Sequence, residues 1–229
     1  MEYLSNGITI EIAPEAFPLS TDSMVLSHFV RLPRNARVLD LGSGCATLGL
    51  LLCGAHAGCH VTGVELDPAA HCAALENIRR NGLGSRLSSI CTDLRSLPGE
   101  FAGYFDCCVS NPPYFSGGPA ASRTPLARRE DYCAPAELFA SAARALKFGG
   151  DFFLVHRPER LAEIIARASE AGLEAKQLRL LRHRQNGPIS LILLKFRKGA
   201  KPGLKIDEVA LFDDSGAPTP YHQSVYHTK

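Results

Sequence analysis

Five short apolar runs, separated by stretches with helical spacing, set the strongest limit on what this chain can fold into. Arg37–Leu41 (RVLDL), His60–Leu66 (HVTGVEL), Leu87–Thr92 (LSSICT), Tyr104–Ser110 (YFDCCVS) and Asp151–His156 (DFFLVH) read as buried strands. Between them ATLGLLLCGA, PAAHCAALENIRRNG and APAELFASAARALKFGG carry helical periodicity, and the latter two close on Asn-Gly and Gly-Gly stops. Strands alternating with helices build a parallel, doubly wound α/β sheet. After the fifth strand, PERLAEIIARASEAG reads as a helix, followed by two strand-like runs, EAKQLRLLRH and ISLILLKFRK, joined by the turn signal Asn186-Gly187. Two neighbouring strands with no helix between them predict one antiparallel strand at the end of the sheet.

The chain of 229 residues holds one complete α/β domain. Three segments are expected. Residues 1–36 form an N-terminal segment with a short helix in PLSTDSMVLSHFVRL, capped by Ser20 or Thr21; 37–198 form the main domain; 199–229, with a DDSG turn, form a small C-terminal extension. The opening MEYLSNGITIEI has neither a basic start nor an apolar core, and no run of 18 apolar residues follows, so the chain reads as cytosolic with no membrane partner. Its eight cysteines contain no CxxC pair and predict small buried side chains, with no metal site. From Ala175 to Ile206 there is no acidic residue, while nine Lys and Arg side chains fall in that window. Such a stretch is either a solvated basic surface or a region that concentrates a polyanion such as RNA.

The first strand runs into DLGSGCATLG, with Asp40, Gly42, Gly44 and Gly49. Glycines at a strand-to-helix turn let a ligand approach the backbone, and the helix behind it presents free amide groups. A dinucleotide fingerprint needs a third glycine where this chain has Thr47, which disfavours a nicotinamide dehydrogenase. Glu65, at the tip of the second strand, suits both hydroxyls of a ribose. Asp93, after the third strand, suits the exocyclic amine of an adenine or, equally in kind, the cap of a turn through LRSL; Leu66 and Leu94 offer apolar walls for the ring.

VLDLGSGCATLGL, GVELD, CTDL and VSNPPY, in this order, resemble the successive motifs of class I S-adenosylmethionine-dependent methyltransferases over roughly residues 36–196. The resemblance implies a Rossmann-like, seven-stranded, mostly parallel sheet with one antiparallel strand near the C-terminus, and S-adenosyl-L-methionine as cofactor. Asp40, Gly42 and Gly44 would then surround the methionine part, Glu65 the ribose, and Asp93 with Leu94 the adenine, with Leu66 as a further wall of the ring and Asn111 also bordering the cofactor.

Asn111-Pro112-Pro113-Tyr114 follows the fourth strand, where two prolines forbid further strand or helix. An exocyclic aromatic amine or an amide nitrogen is a poor nucleophile, because its lone pair is delocalised. The Asn111 side-chain oxygen and the Pro112 carbonyl can accept its N–H groups, aim it and favour the positive charge that develops on it. Pro113 stiffens the turn and Tyr114 offers a ring face for a planar substrate, so Asn111, Pro112 and Tyr114 are the candidate catalytic residues. Neither His28 nor His156 is needed as a base, and a structural role suits them; Arg157 is placed to touch phosphate.

Within this class the chain is similar to bacterial adenine-N6 methyltransferases acting on the adenosine beside the anticodon of a valine tRNA. The shared features are STDSMVLSHF, the continuation NPPYFSGGPAASRTPLARRE and the tail after LILLKFRKGAKPG. This resemblance implies a tRNA partner, places Thr21 and Asp22 beside the cofactor, and puts Phe115, Arg123, Arg128 and Arg129 against the substrate with Pro113 and Tyr114. A protein glutamine-N5 methyltransferase, a ribosomal guanine-N2 methyltransferase and a non-catalytic cofactor-binding RNA module are the alternatives. The first carries a larger N-terminal helical domain, and the last would show decay at Asp40, Gly42, Glu65 or Asn111.

Overall fold

A computed structural model describes residues 2–3, 7–10, 20–112 and 134–226. Residues 113–133, which include Pro113, Tyr114, Phe115, Arg123, Arg128 and Arg129, lie outside the described residues. The elements in chain order are β1 (Glu2–Tyr3), β2 (Thr9–Ile10), α1 (Thr21–Phe29), β3 (Arg37–Leu41), α2 (Thr47–Ala55), β4 (His60–Glu65), α3 (Pro68–Arg80), β5 (Leu87–Cys91) and β6 (Phe105–Ser110). They continue with α4 (Pro135–Ala145), β7 (Leu146–His156), α5 (Leu161–Glu170), β8 (Leu173–Arg184), β9 (Ile189–Lys198), β10 (Lys205–Phe212) and α6 (Pro220–Tyr226).

β1 and β2 pair with each other, and the other strands form one sheet in the order β10-β8-β9-β7-β6-β3-β4-β5. Among the described residues of this sheet only β9 runs against its neighbours, pairing antiparallel with both β7 and β8. It lies inside the sheet and not at its end, because β8 crosses over through α5 and β9 turns back into the gap. The expected seven strands become eight among the described residues of this sheet. The eighth, β10, comes from the C-terminal segment and lies parallel to β8 at the edge.

Successive side chains of a strand face opposite sides of the sheet, so Phe152 and Phe153 of β7 enter two different cores. Phe153 packs with Phe29 of α1, Leu50 of α2 and Leu193 of β9. Phe152 packs with Phe139 of α4, Ile164 of α5 and Phe196 of β9. Helices thus cover both faces, which explains why the central strands read as continuous apolar runs. In α2, a Cβ on Gly49 would lie 2.6 Å from Leu87 Cδ1, so the helix approaches β5 closely at this glycine.

One further expectation is corrected. The helical reading of ALKFGG fails: α4 ends at Ala145 and β7 already begins at Leu146, with Gly149 at φ +79°. Four of the nine basic side chains in the acid-free window are paired with carboxylates from outside it. Arg179 pairs with Asp207 at 2.6 Å and Arg182 with Glu208 at 2.5 Å, both across the β8–β10 seam. Lys195 and Arg197 both pair with Asp151 on β7.

Candidate active site at the carboxyl edge of the sheet

The chain order reverses at β3, which has β4 on one side and β6 on the other. In open α/β sheets the crevice outside the carboxyl ends of the strands at such a reversal is where ligands bind. The turn leaving β3 is folded back on the tip of β4: the Gly42 and Ser43 amides donate to the Val64 carbonyl at 2.9 and 3.0 Å. Gly42 and Gly44 have φ of +76° and +54°, and a Cβ on either would meet no atom within 4 Å. Space in front of the turn is therefore open, while behind it a Cβ on Gly63 would lie 2.6 Å from Ser43 Oγ.

Asp40, the penultimate residue of β3, is 1% exposed, and neither carboxylate oxygen has a well-formed hydrogen bond. Burial pushes its pKa up to about 7; the negative charge of Glu65 adds to the rise, and the Gly49 backbone amide opposes it. Ser43 Oγ, in the adjoining turn, is likewise buried and without a partner. Buried polar groups left open in this way are costly unless a ligand satisfies them.

Glu65 is fixed at the tip of β4. Its Oε2 accepts from the Gly44 amide and its Oε1 from the Asp67 amide, each at 2.8 Å. A carboxylate has about four acceptor positions, so two remain for the hydroxyls of a ribose. Leu66 beside it is 38% exposed. Asp93 forms the cap anticipated as its other reading, accepting from the Arg95 amide at 2.8 Å while pairing with the Arg95 guanidinium at 2.6 Å. That pairing holds its pKa below the usual carboxylate range. Leu94 packs on the α4 side of the sheet, where its carbonyl accepts from Ser141.

This set fits S-adenosylmethionine. The orphaned Asp40 carboxylate and Ser43 hydroxyl suit its ammonium and carboxylate ends, the glycine turn leaves open space before it, and Glu65 keeps two acceptor positions of the kind ribose hydroxyls need.

Asn111 follows β6, the strand next to β3. The two strand ends are tied together: Ser110 Oγ donates to the Leu41 carbonyl at 2.7 Å. The Asn111 side chain donates from Nδ2 to Ser23 Oγ at 3.0 Å, which leaves its Oδ1 as the end available to another donor. Pro112 is buried behind it. Helix α1, which carries Ser23, starts at Thr21 with Ser20 as N-cap. It is held from its other side by α6, whose Tyr226 hydroxyl lies 3.3 Å from Thr21 Oγ1 and whose Tyr221 ring meets His28 edge-on. Asp22 sits in the first turn of the same helix.

The structure brings Asp40, Glu65 and Asn111, expected from the sequence, to one edge of the sheet, together with Ser23, Ser43, Ser110 and the close approach at Gly63, which the sequence did not single out. A serine carries no pattern of its own, and Ser23 meets Asn111 across 88 residues. His156 is a buried acceptor for the Arg157 amide, and burial lowers its pKa to about 4, so it stays neutral.

The methyltransferase small domain model matches residues 20–170. A tRNA1(Val) (adenine(37)-N6)-methyltransferase of Shewanella sp. is 30% identical over 217 residues, 91% of this chain and 89% of its own length. The protein of the same name from Tolumonas auensis is 34% identical over 191 residues, 81% of this chain and 79% of its own. Among solved structures, a protein described as a predicted O-methyltransferase, Atu636 of Agrobacterium tumefaciens, superposes with a TM-score of 0.73 at 21% identity, covering 90% of this chain and 96% of its own. The geranyl diphosphate C-methyltransferase of Streptomyces coelicolor, solved with S-adenosyl-L-homocysteine, gives 0.59 at 11% identity over 82% of this chain and 90% of its own. These two likenesses concern the fold alone. On the family match and the identity to the Shewanella and Tolumonas proteins, the chain belongs to the methyltransferase small domain family of S-adenosylmethionine-dependent methyltransferases.

Proposed function

We propose that this enzyme methylates the exocyclic N6 of an adenine in tRNA, the adenosine beside the anticodon of a valine tRNA that the named relatives modify. The observation that carries the reading is the placement of Asn111: its side-chain oxygen, which accepts no hydrogen bond from the described residues, stands one strand away from the Asp40–Gly44 turn, and Ser110 ties the two strand ends. Bound S-adenosylmethionine supplies a methyl group on a positively charged sulfur.

The chain's residues do the rest by position. Asp40, with Ser43, takes the amino-acid end of the cofactor, and Glu65 takes the ribose. Asp93 with Leu66 and Leu94 borders the adenine ring, and Thr21 and Asp22 lie at its flank. Asn111 Oδ1 and the Pro112 carbonyl accept the two N–H bonds of the substrate amine, which turns its lone pair toward the methyl carbon. They also stabilise the positive charge that grows on nitrogen, an effect worth on the order of 3 kcal/mol per well-placed group. No base is required, because the methylated cation is acidic enough to lose a proton to water. Tyr114 stacks on the adenine, and Arg123, Arg128 and Arg129 meet the tRNA backbone.

The test is incubation with labelled S-adenosylmethionine and bulk tRNA lacking its own modifications, with the product nucleoside identified by mass. N6-methyladenosine beside the anticodon of valine tRNA is the expected product. Label in a protein fraction with none in RNA refutes the proposal and favours a glutamine acceptor.

A further inference from the structure

We propose that Ser23 is the positioning residue for Asn111, holding the side-chain amide with its oxygen toward the substrate nitrogen. The inference rests on the reading of Asn111 as acceptor for the amine. The two ends of an asparagine amide are nearly the same shape and opposite in chemistry: one accepts, the other carries two donors. Turned by 180°, Asn111 would present N–H groups to the N–H groups of the substrate and oppose the charge forming there. In the productive orientation its own NH2 needs an acceptor at a half-buried site.

Ser23 Oγ supplies that acceptor at 3.0 Å. Ser23 is 6% exposed, so water does not readily replace it. Its position is fixed from both directions along α1. The Ser20 cap accepts from the Ser23 amide at 3.4 Å, and buried Met24, Val25 and Leu26 seat the next turn in the core. Asn111 is in turn held between Ser110, the last residue of β6, and a rigid proline, leaving the amide torsion as its main freedom. Removing the Ser23 oxygen leaves a donor unsatisfied in the productive state only, so the loss falls on turnover and not on cofactor affinity.

The experiment compares Ser23→Ala and Ser23→Thr with wild type in two ways. Methyl transfer to tRNA is measured at saturating RNA and cofactor, with the dissociation constant of S-adenosylhomocysteine alongside. The exchange of the Asn111 side-chain amide protons is followed by NMR, assigned by their absence in Asn111→Ala. Ser23→Ala is expected to lower kcat by about five- to a hundredfold and to speed amide exchange, with S-adenosylhomocysteine affinity within about twofold. Ser23→Thr, which keeps the oxygen, is expected to recover most of both. Unchanged kcat or unchanged exchange in Ser23→Ala overturns the inference, and so does an equal loss in Ser23→Thr with cofactor affinity intact. A wild-type protein that leaves tRNA unlabelled refutes the substrate reading instead, and the exchange measurement still decides whether Ser23 holds the amide.

Discussion

Replacing Asp40 with Asn is expected to make the cofactor-free protein more stable above neutral pH and a weaker binder of its cofactor. Asp40 is fully buried with no well-formed hydrogen bond, and its pKa stands at about 7 against 3.8 for a free side chain. Between those values the folded state keeps a proton that the unfolded chain has lost, so stability falls as pH rises from about 4 to about 7 and is level above. At roughly 1.4 kcal/mol per pH unit the interval amounts to about 4 kcal/mol. Asn cannot ionise and escapes that loss. The advantage of Asp40→Asn should therefore widen between pH 5 and pH 8 by about two pH units' worth, roughly 3 kcal/mol. That is up to about 6 to 12 °C in unfolding temperature, taking about 2 to 4 °C per kcal/mol for a chain of this size. Thermal unfolding of both cofactor-free proteins at the two pH values measures this, with S-adenosylhomocysteine titrated at pH 8 to show the accompanying loss of affinity. A gap between the proteins that is the same at pH 5 and pH 8, or a variant less stable at pH 8, refutes the argument that Asp40 is a stored charge awaiting a cation.

Three further outcomes are expected. Asn111→Ala should retain S-adenosylhomocysteine binding within a few fold while methyl transfer falls by about a hundredfold or more, read from single-turnover kinetics. Gly63→Ala should lower both stability and cofactor affinity, because its Cβ would stand 2.6 and 2.8 Å from Ser43 Oγ and Cβ and push the turn off the sheet; the cost is about 1 to 3 kcal/mol by chemical denaturation. Leu211→Ala, in the buried part of β10, should destabilise the whole protein in one cooperative transition by about 2 to 5 kcal/mol. A separate early transition confined to the C-terminal segment would instead mark it as an appendage.

The carboxyl edge was readable from the sequence because its residues are local to strand ends: Asp40, Gly42 and Gly44 leave β3, Glu65 closes β4 and Asn111 follows β6. What escaped were features made by distant partners. β10 carries its charges in its first half and an apolar run in its second, and it joins the sheet by seating Asp207 and Glu208 against Arg179 and Arg182. The acid-free window ended at Ile206, one residue before those carboxylates, so the charge that pairs with Arg179 and Arg182 lay just outside. The start of β7 was hidden because Leu146, Lys147 and Phe148 continue the helical spacing of α4, and only the β6 partner of Leu146, Phe105, makes it a strand. Asp93 carried two readings, and the cap is a short-range bond between neighbours that the sequence already contained.

The docking of α6 on α1 has a kinetic consequence. Thr21 and Tyr226, which meet there, are 205 residues apart. A contact across such a separation closes a long loop and is expected to form late in folding, after β3, β4 and β5 have assembled through short crossovers. The half of the molecule that holds Asp40 and Glu65 would then be native before α1 is pinned against Asn111. A folding intermediate of this kind takes up S-adenosylhomocysteine while unable to transfer a methyl group, so affinity for the cofactor and catalytic competence would appear on refolding as two separate phases.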